Sequence, residues 1–321
     1  MILALFLAAV VGAVSPTGHA SNCTAATAFV GTICTPAGSG KHPAILLLGG
    51  SEGGNEMSSS VPRFASAGYV AASVAYFGLP GLPPVLEEIP VETVGKALQS
   101  IGERADVNSN RIAIFGISKG GELALLAAAT YPQIHAVVAD VPSPFAWQSI
   151  PHGPEATQHS SWTLGGKPLP FVPYSTSMGQ GIAHSFQSHL PLDLRVGYVA
   201  SMKENASAIP AAMFHLENVH GPIFFLAADD DHIWDSVAQS ELGVAYLSAH
   251  HHPYSDVYQH VAGAGHVYLF ATPQRPMTQA PMGPISLLLG GTPAANVAAA
   301  AQAWPRIMQF LKDALASKST Q

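Results

Sequence analysis

Apolar residues in this chain gather into short continuous runs, and helix-periodic or polar stretches separate the runs. Ala44–Leu48 (AILLL), Tyr69–Ala75, Arg111–Phe115 (RIAIF), His135–Ala139 (HAVVA) and Ile223–Ala227 (IFFLA) read as buried strands. Val91–Ile101 and the alanine- and leucine-rich Gly120–Thr130 read as helices. Trp304, Ile307, Met308, Leu311 and Leu315 trace the apolar stripe of an amphipathic helix over Ala294–Ala316. Strands buried on both faces and alternating with helices imply a mostly parallel central sheet, so the expected class is α/β.

One region breaks this rhythm. From Val141 to about His220 the chain is rich in Pro, Gly, Ser and His and shows no long periodic element. Inserts after a strand's carboxyl end lie where open parallel sheets bind ligands, so this one is expected to cap a site. Ahead of the first strand, CTAATAFVGTIC has the pattern of a short hairpin turned at Val30-Gly31, with Cys23 and Cys34 brought together. The expected organisation is a leader over 1–20, a hairpin lead-in over 21–43, and one α/β domain over 44–321 carrying the insert at about 141–220.

Composition narrows the choice of partner. The net charge is −7 with only 13 Lys and Arg and no basic cluster, which argues against nucleic acid and anionic membranes. The apolar run Ile2–Val14, followed by Gly18-His19-Ala20, has the shape of a secretory signal peptide and is short for a bilayer span. The expectation is therefore a secreted or periplasmic protein without stable membrane insertion once the leader is removed. The cysteines agree with that: the chain has 2, Cys23 and Cys34, both close behind the leader, and a bridge between them is permitted outside the cytoplasm.

The candidate chemistry starts at Gly116-Ile117-Ser118-Lys119-Gly120, between the RIAIF strand and the alanine-rich helix. Gly-x-Ser-x-Gly in a strand-turn-helix context is a nucleophile elbow: small neighbours allow a strained serine whose hydroxyl is lifted above the sheet. The helix start offers backbone amides to a developing oxyanion, first that of Lys119, and the GGSEGG loop offers a second, that of Ser51. A serine nucleophile needs a base and an orienting acid, in the chain order Ser, Asp, His. IFFLAADDDHIWDS supplies Asp229, Asp230 and Asp231 after a strand, and VAGAGHVY supplies His266 in a small-residue loop. Asp231 is the preferred acid, with Asp230 the alternative.

GISKGGELALL, ENVHGPIFFLAADDDHIWDS, AGAGHVYLF and SVAYFGLPGLP together resemble the C-terminal domain of the acyl-CoA thioesterase and bile acid-CoA:amino acid N-acyltransferase family. That family lies in the α/β-hydrolase superfamily and is dienelactone hydrolase-like in fold. The resemblance runs from about Ala44 to Leu315. It implies Ser118 as nucleophile, Asp231 before His-Ile-Trp as acid, and His266 in Gly-Ala-Gly-His as base. A Ser in place of the Cys of the acyltransferase branch implies transfer of the acyl group to water. Only residues 1–43 precede the first expected sheet strand, where the family's eukaryotic acyl-CoA enzymes carry a β-sandwich domain.

The expected activity is hydrolysis of a small-molecule ester or thioester through an acyl-enzyme. The alternatives are an acyl-CoA thioesterase or acyltransferase acting inside the cell, and a binding protein that keeps the fold without turnover. Phe77 and Trp234 are candidates for lining an acyl pocket. No metal and no cofactor is expected: His250-His251-His252 cannot converge on one ion, and GGSEGG lacks the Lys-Ser/Thr ending of a nucleotide-phosphate loop.

Overall fold

The computed structural model describes residues 22–150 and 158–316, so the expected leader lies outside the described residues. In chain order the elements begin with β1 (Asn22–Ala25), β2 (Gly31–Thr35), β3 (His42–Leu48), α1 (Val61–Ser66), β4 (Val70–Val74), β5 (Ile89–Pro90), α2 (Glu92–Gly102), β6 (Val107–Ile117), α3 (Lys119–Thr130) and β7 (Ala136–Asp140). They continue with β8 (Trp162–Leu164), β9 (Lys167–Pro168), α4 (Thr176–Ser188), α5 (Arg195–Glu204), α6 (Ile209–Ala212), β10 (Ile223–Ala228), α7 (Ser236–Ala249), β11 (Val257–Val261), β12 (Gln279–Met282), β13 (Ile285–Leu288) and α8 (Pro293–Ala314).

Among the described residues the central sheet has 8 strands in the order β1-β2-β4-β3-β6-β7-β10-β11. From β4 to β11 all pairs are parallel, while β2 joins β4 antiparallel and β1 closes the edge. Side chains alternate across the sheet: Ala44, Leu46 and Leu48 face α2, α3 and α7, whereas Ile45 and Leu47 face α1 and α8. Both faces are covered, which is why the strands read as continuous apolar runs.

Two expectations are corrected. The hairpin turns across Thr27–Val30, with Ala26 N–H donating to Gly31 O at 2.9 Å; Gly31 is already in β2, where a Cβ would stand 2.0 Å from Ser73 O. The hairpin joins the main sheet through β2 and β4. The insert is also more ordered than its composition suggests, since it contains α4, α5 and α6. Glycines and serines dilute the apolar stripe of α4, and Val196 and Val199 of α5 face outward, so periodicity gave no signal. The insert has its own small core of Phe145, Trp147, Val172, Met178, Tyr198 and Ala212, and it rests on Trp234 of the main domain. No helix among the described residues is long and apolar enough to cross a membrane.

Candidate active site

Ser118 stands between β6 and α3 with φ 56° and ψ −124°, a conformation costly for a residue with a Cβ. Two close approaches hold it there. A Cβ on Gly116 would meet Gly120 O at 2.0 Å, and one on Gly120 would meet Gly49 O at 2.1 Å, so only glycine fits at either flank. Ser118 N–H donates to Asp140 O at 2.9 Å, which ties the corner to the end of β7.

The structure brings Ser118, His266 and Asp231 together. Ser118 Oγ lies 2.7 Å from His266 Nε2, and His266 Nδ1 lies 2.8 Å from Asp231 Oδ2. All three are buried, Asp231 completely. Asp231 Oδ1 accepts the N–H groups of Ile233 (2.8 Å) and Trp234 (3.2 Å), an acceptor-only pattern that an ionised carboxylate takes. A carboxylate on Nδ1 places the imidazole proton there and leaves the Nε2 lone pair to accept from the Ser118 hydroxyl.

Each partner is fixed by its own loop. His266 N–H donates to Leu289 O at 2.7 Å, and Gly265 N–H donates to Asn296 Oδ1 at 2.8 Å. Trp234 stands edge-on to the His266 ring and donates its indole N–H to Val141 O at 3.0 Å. The side chains of Asp229 and Asp230 are partly exposed, and both also brace the neighbouring loops. Asp229 accepts from Gly263 N–H and lies 3.2 Å from His260 Nε2, and Asp230 Oδ2 accepts from Gly291 N–H at 2.8 Å. The helix cap is Asp235, at the start of α7. His232 is paired with Asp193 of the insert at 2.7 Å.

The remaining sequence candidates fall as follows. Lys119 begins α3, so its amide belongs to the first turn, where helical N–H groups lack intrahelical partners. Its side chain points away into the protein: Nζ lies 2.7 Å from Glu122 Oε2, donates to Ser161 Oγ at 2.9 Å and sits 5.1 Å from the Trp162 ring. Ser51 is exposed in the loop after β3. Its neighbour Gly50 approaches Ser118 closely, its Cβ direction ending 3.5 Å from Ser118 Cβ, but Gly50 N–H donates to Glu56 Oε2 at 3.2 Å. Phe77 is buried under Gly53 and against Tyr76. Cys23 and Cys34 face each other across β1 and β2 and are bridged. His252 is engaged by Asp256 and Val219 O.

Four side chains at the site escaped the sequence reading. Glu122 accepts from Trp147 N–H and Trp162 Nε1–H, linking α3 to the insert; burial pushes its carboxyl up, against the pull of Lys119. Burial, and then Glu52 beside it, push Glu56 up to about 11, which favours its neutral acid form under the glycine-rich loop. Asp140 and Tyr268 share a hydrogen bond of 3.0 Å beside His266. The only sequence signal was Asp140 itself, a carboxylate closing an apolar strand in the manner of Asp229 after IFFLA.

Comparison with known proteins adds an ancestry. Residues 89–317 match the family described as BAAT / Acyl-CoA thioester hydrolase C terminal. The peroxisomal succinyl-coenzyme A thioesterase of Mus musculus is 26% identical over 297 residues, covering 89% of this chain and 63% of that protein. The acyl-coenzyme A amino acid N-acyltransferase 1 of Mus musculus is 23% identical over 286 residues, covering 88% and 62%. The chain thus spans about six-tenths of the length of these relatives. An esterase of Pyrobaculum calidifontis superposes with a TM-score of 0.54 at 16% identity, covering 93% of this chain and 87% of that one, and shares its α/β-hydrolase fold.

Proposed function

Because the chain belongs to the BAAT / acyl-CoA thioester hydrolase C-terminal family, we propose that it hydrolyses an ester or thioester through an acyl-enzyme on Ser118. The observation that carries this reading is the continuous hydrogen-bond chain from Ser118 Oγ through His266 to Asp231.

In the proposed mechanism His266 Nε2 takes the Ser118 proton as Oγ attacks the acyl carbon, and the imidazolium returns that proton to the leaving oxygen or sulfur. Water then attacks the acyl-enzyme by the same route in reverse, giving the carboxylic acid and free Ser118. Asp231 orients His266 and stabilises its charge without taking the proton. The amides of Lys119 and Ser51 would hold the carbonyl oxygen as it becomes negative. With the Gly50 amide turned to Glu56, Ser51 is the next donor along the loop.

The finer substrate class we propose is an acyl-CoA thioester, favoured by the acyl-CoA activities of the thioesterase and N-acyltransferase relatives. The second reading, exclusive of the first, is an exported esterase. The bridged Cys23 and Cys34 support an oxidising compartment, and a chain located there would meet esters rather than cytoplasmic acyl-CoA.

The test is release of product from p-nitrophenyl esters and acyl-CoAs of graded chain length, with Ser118→Ala alongside. Loss of at least about a thousandfold in Ser118→Ala is expected. Full activity in that variant would overturn the mechanism. Cleavage of esters alone would set aside the acyl-CoA proposal.

A further inference from the structure

Asp140 closes β7 between Ile117 of β6 and Leu226 of β10. Its carbonyl receives the Ser118 N–H. The next residue, Val141, has φ 42°, a conformation seldom taken by a β-branched side chain, and its carbonyl receives the Trp234 indole N–H. Trp234 in turn donates its backbone N–H to Asp231 and packs on His266. One strained corner therefore touches the supports of all three residues in the hydrogen-bond chain.

The Asp140 side chain is fully buried. Oδ1 accepts from Tyr268 O–H at 3.0 Å, while Oδ2 has no hydrogen-bond partner among the described residues. An orphaned buried carboxyl oxygen is costly, and an apolar residue at a strand end would avoid the cost. Three titratable groups act on this carboxyl: Tyr268 and His266 from the loop after β11, and Asp231 from the end of β10. Burial pushes Asp140 up to about 7; the Tyr268 hydrogen bond and the attraction of His266 pull it down, and Asp231 raises it further.

Resting on the reading of Ser118, His266 and Asp231 as the reacting triad, we propose that Asp140 is a second positioning carboxyl for His266. It stabilises the imidazolium from the β7 side and sustains part of the rate when Asp231 is lost. No proton passes to Asp140 in either half-reaction; its contribution is the field of its charge and the hold on Tyr268.

The experiment is the rate of Ser118 phosphonylation by a fluorophosphonate across pH, which needs no knowledge of the natural substrate. The variants are Ser118→Ala, Asp140→Asn, Asp231→Asn and the double Asp140→Asn/Asp231→Asn. Asp140→Asn keeps the shape and the acceptor for Tyr268 but removes the charge. The wild-type to Asp140→Asn rate ratio should rise from near unity below about pH 6 to about tenfold above about pH 8. The double variant should be slower than Asp231→Asn by a similar factor. A ratio flat with pH, or a double variant equal to Asp231→Asn, would overturn the proposal, because a merely structural Asp140 would not make the effect follow a titration. If Asp140→Asn does not fold, Tyr268→Phe gives the same information. Without the phenol donor the carboxyl ionises at higher pH, so the rise in rate should move upward, and an unmoved profile sinks the idea. Absence of Ser118-dependent labelling in the wild type would remove the triad reading and this inference with it; labelling with a flat ratio would remove the inference alone.

Discussion

Trp234 stands edge-on against His266, with ring centroids 5.6 Å apart and planes at 81°. The sequence suggested Trp234 for an acyl pocket, yet its ring supports the imidazole and its indole N–H holds Val141. Trp234→Phe keeps the edge contact and loses that hydrogen bond, so kcat should fall about 5- to 10-fold with KM little changed. Trp234→Ala also frees the imidazole and should cost about a hundredfold. Steady-state kinetics on any turned-over ester check both, and a rise in KM with kcat preserved would return Trp234 to the pocket.

The buried pair Lys119 and Glu122 ties α3 to the insert. Glu122→Gln leaves the Lys119 ammonium without its counter-charge and should cost about 3–5 kcal/mol of unfolding free energy. Lys119→Met combined with Glu122→Gln removes both charges and should restore most of that loss. Urea denaturation of wild type, Glu122→Gln, Lys119→Met and the double variant closes the cycle. A loss in the double variant equal to the sum of the two single losses would mean that the two groups do not act as an ion pair.

What the sequence made legible here is mainly what is local. The elbow lies within one strand-turn-helix segment, so β6, Ser118 and α3 could be read from neighbouring residues, as could α8 from its stripe. The choice among Asp229, Asp230 and Asp231 was only partly local: side-chain chemistry left Asp230 open, because the direction of each carboxylate depends on loops that end at Gly263 and Gly291. Glu56, Glu122 and Asp140 were missed because their surroundings are assembled from distant segments, such as Trp162 against Glu122. Burial alone turns these ordinary carboxylates into unusual ones, and burial of a polar residue has no signature in a one-dimensional pattern.

Glu56 makes the pH dependence testable. Its folded pKa, about 11, lies above the ordinary 4.5, so the folded state holds a proton that the unfolded chain has released. Its contribution to stability is therefore complete below about pH 4.5 and declines as pH rises towards 11, by up to about 1.4 kcal/mol per pH unit. Glu56→Gln retains an acceptor for Gly50 N–H and removes the titration. Its advantage over wild type in urea midpoint should widen from about pH 5 to pH 9. A constant difference would mean that Glu56 is charged in the folded state.

The Cys23–Cys34 bridge closes a loop of sequence separation 11 at the sheet edge. Chain-entropy arguments give such a short loop at most about 3 kcal/mol, and every residue of β1 is exposed, so little packing follows the bridge. Cys23→Ser with Cys34→Ala should lower the unfolding free energy within that limit and leave the Ser118 labelling rate unchanged. A large loss of labelling would mean that the edge hairpin supports the site through β4.

Two glycines in helices should respond to the same substitution in opposite ways. At Gly120 a Cβ would enter 2.1 Å from Gly49 O and 2.6 Å from Leu48 O, main-chain atoms where β3 passes into the glycine-rich loop. Neither can move without displacing β3, so Gly120→Ala should abolish Ser118 labelling and lower stability by several kcal/mol. At Gly179, inside α4 of the insert, a Cβ meets nothing within 4 Å. Gly179→Ala should therefore stabilise by about 0.5–1 kcal/mol through helix propensity alone. Thermal melts and labelling rates of the two variants separate a glycine required by close approach from one that the fold merely tolerates, and a stable, reactive Gly120→Ala would contradict the elbow geometry described for Ser118.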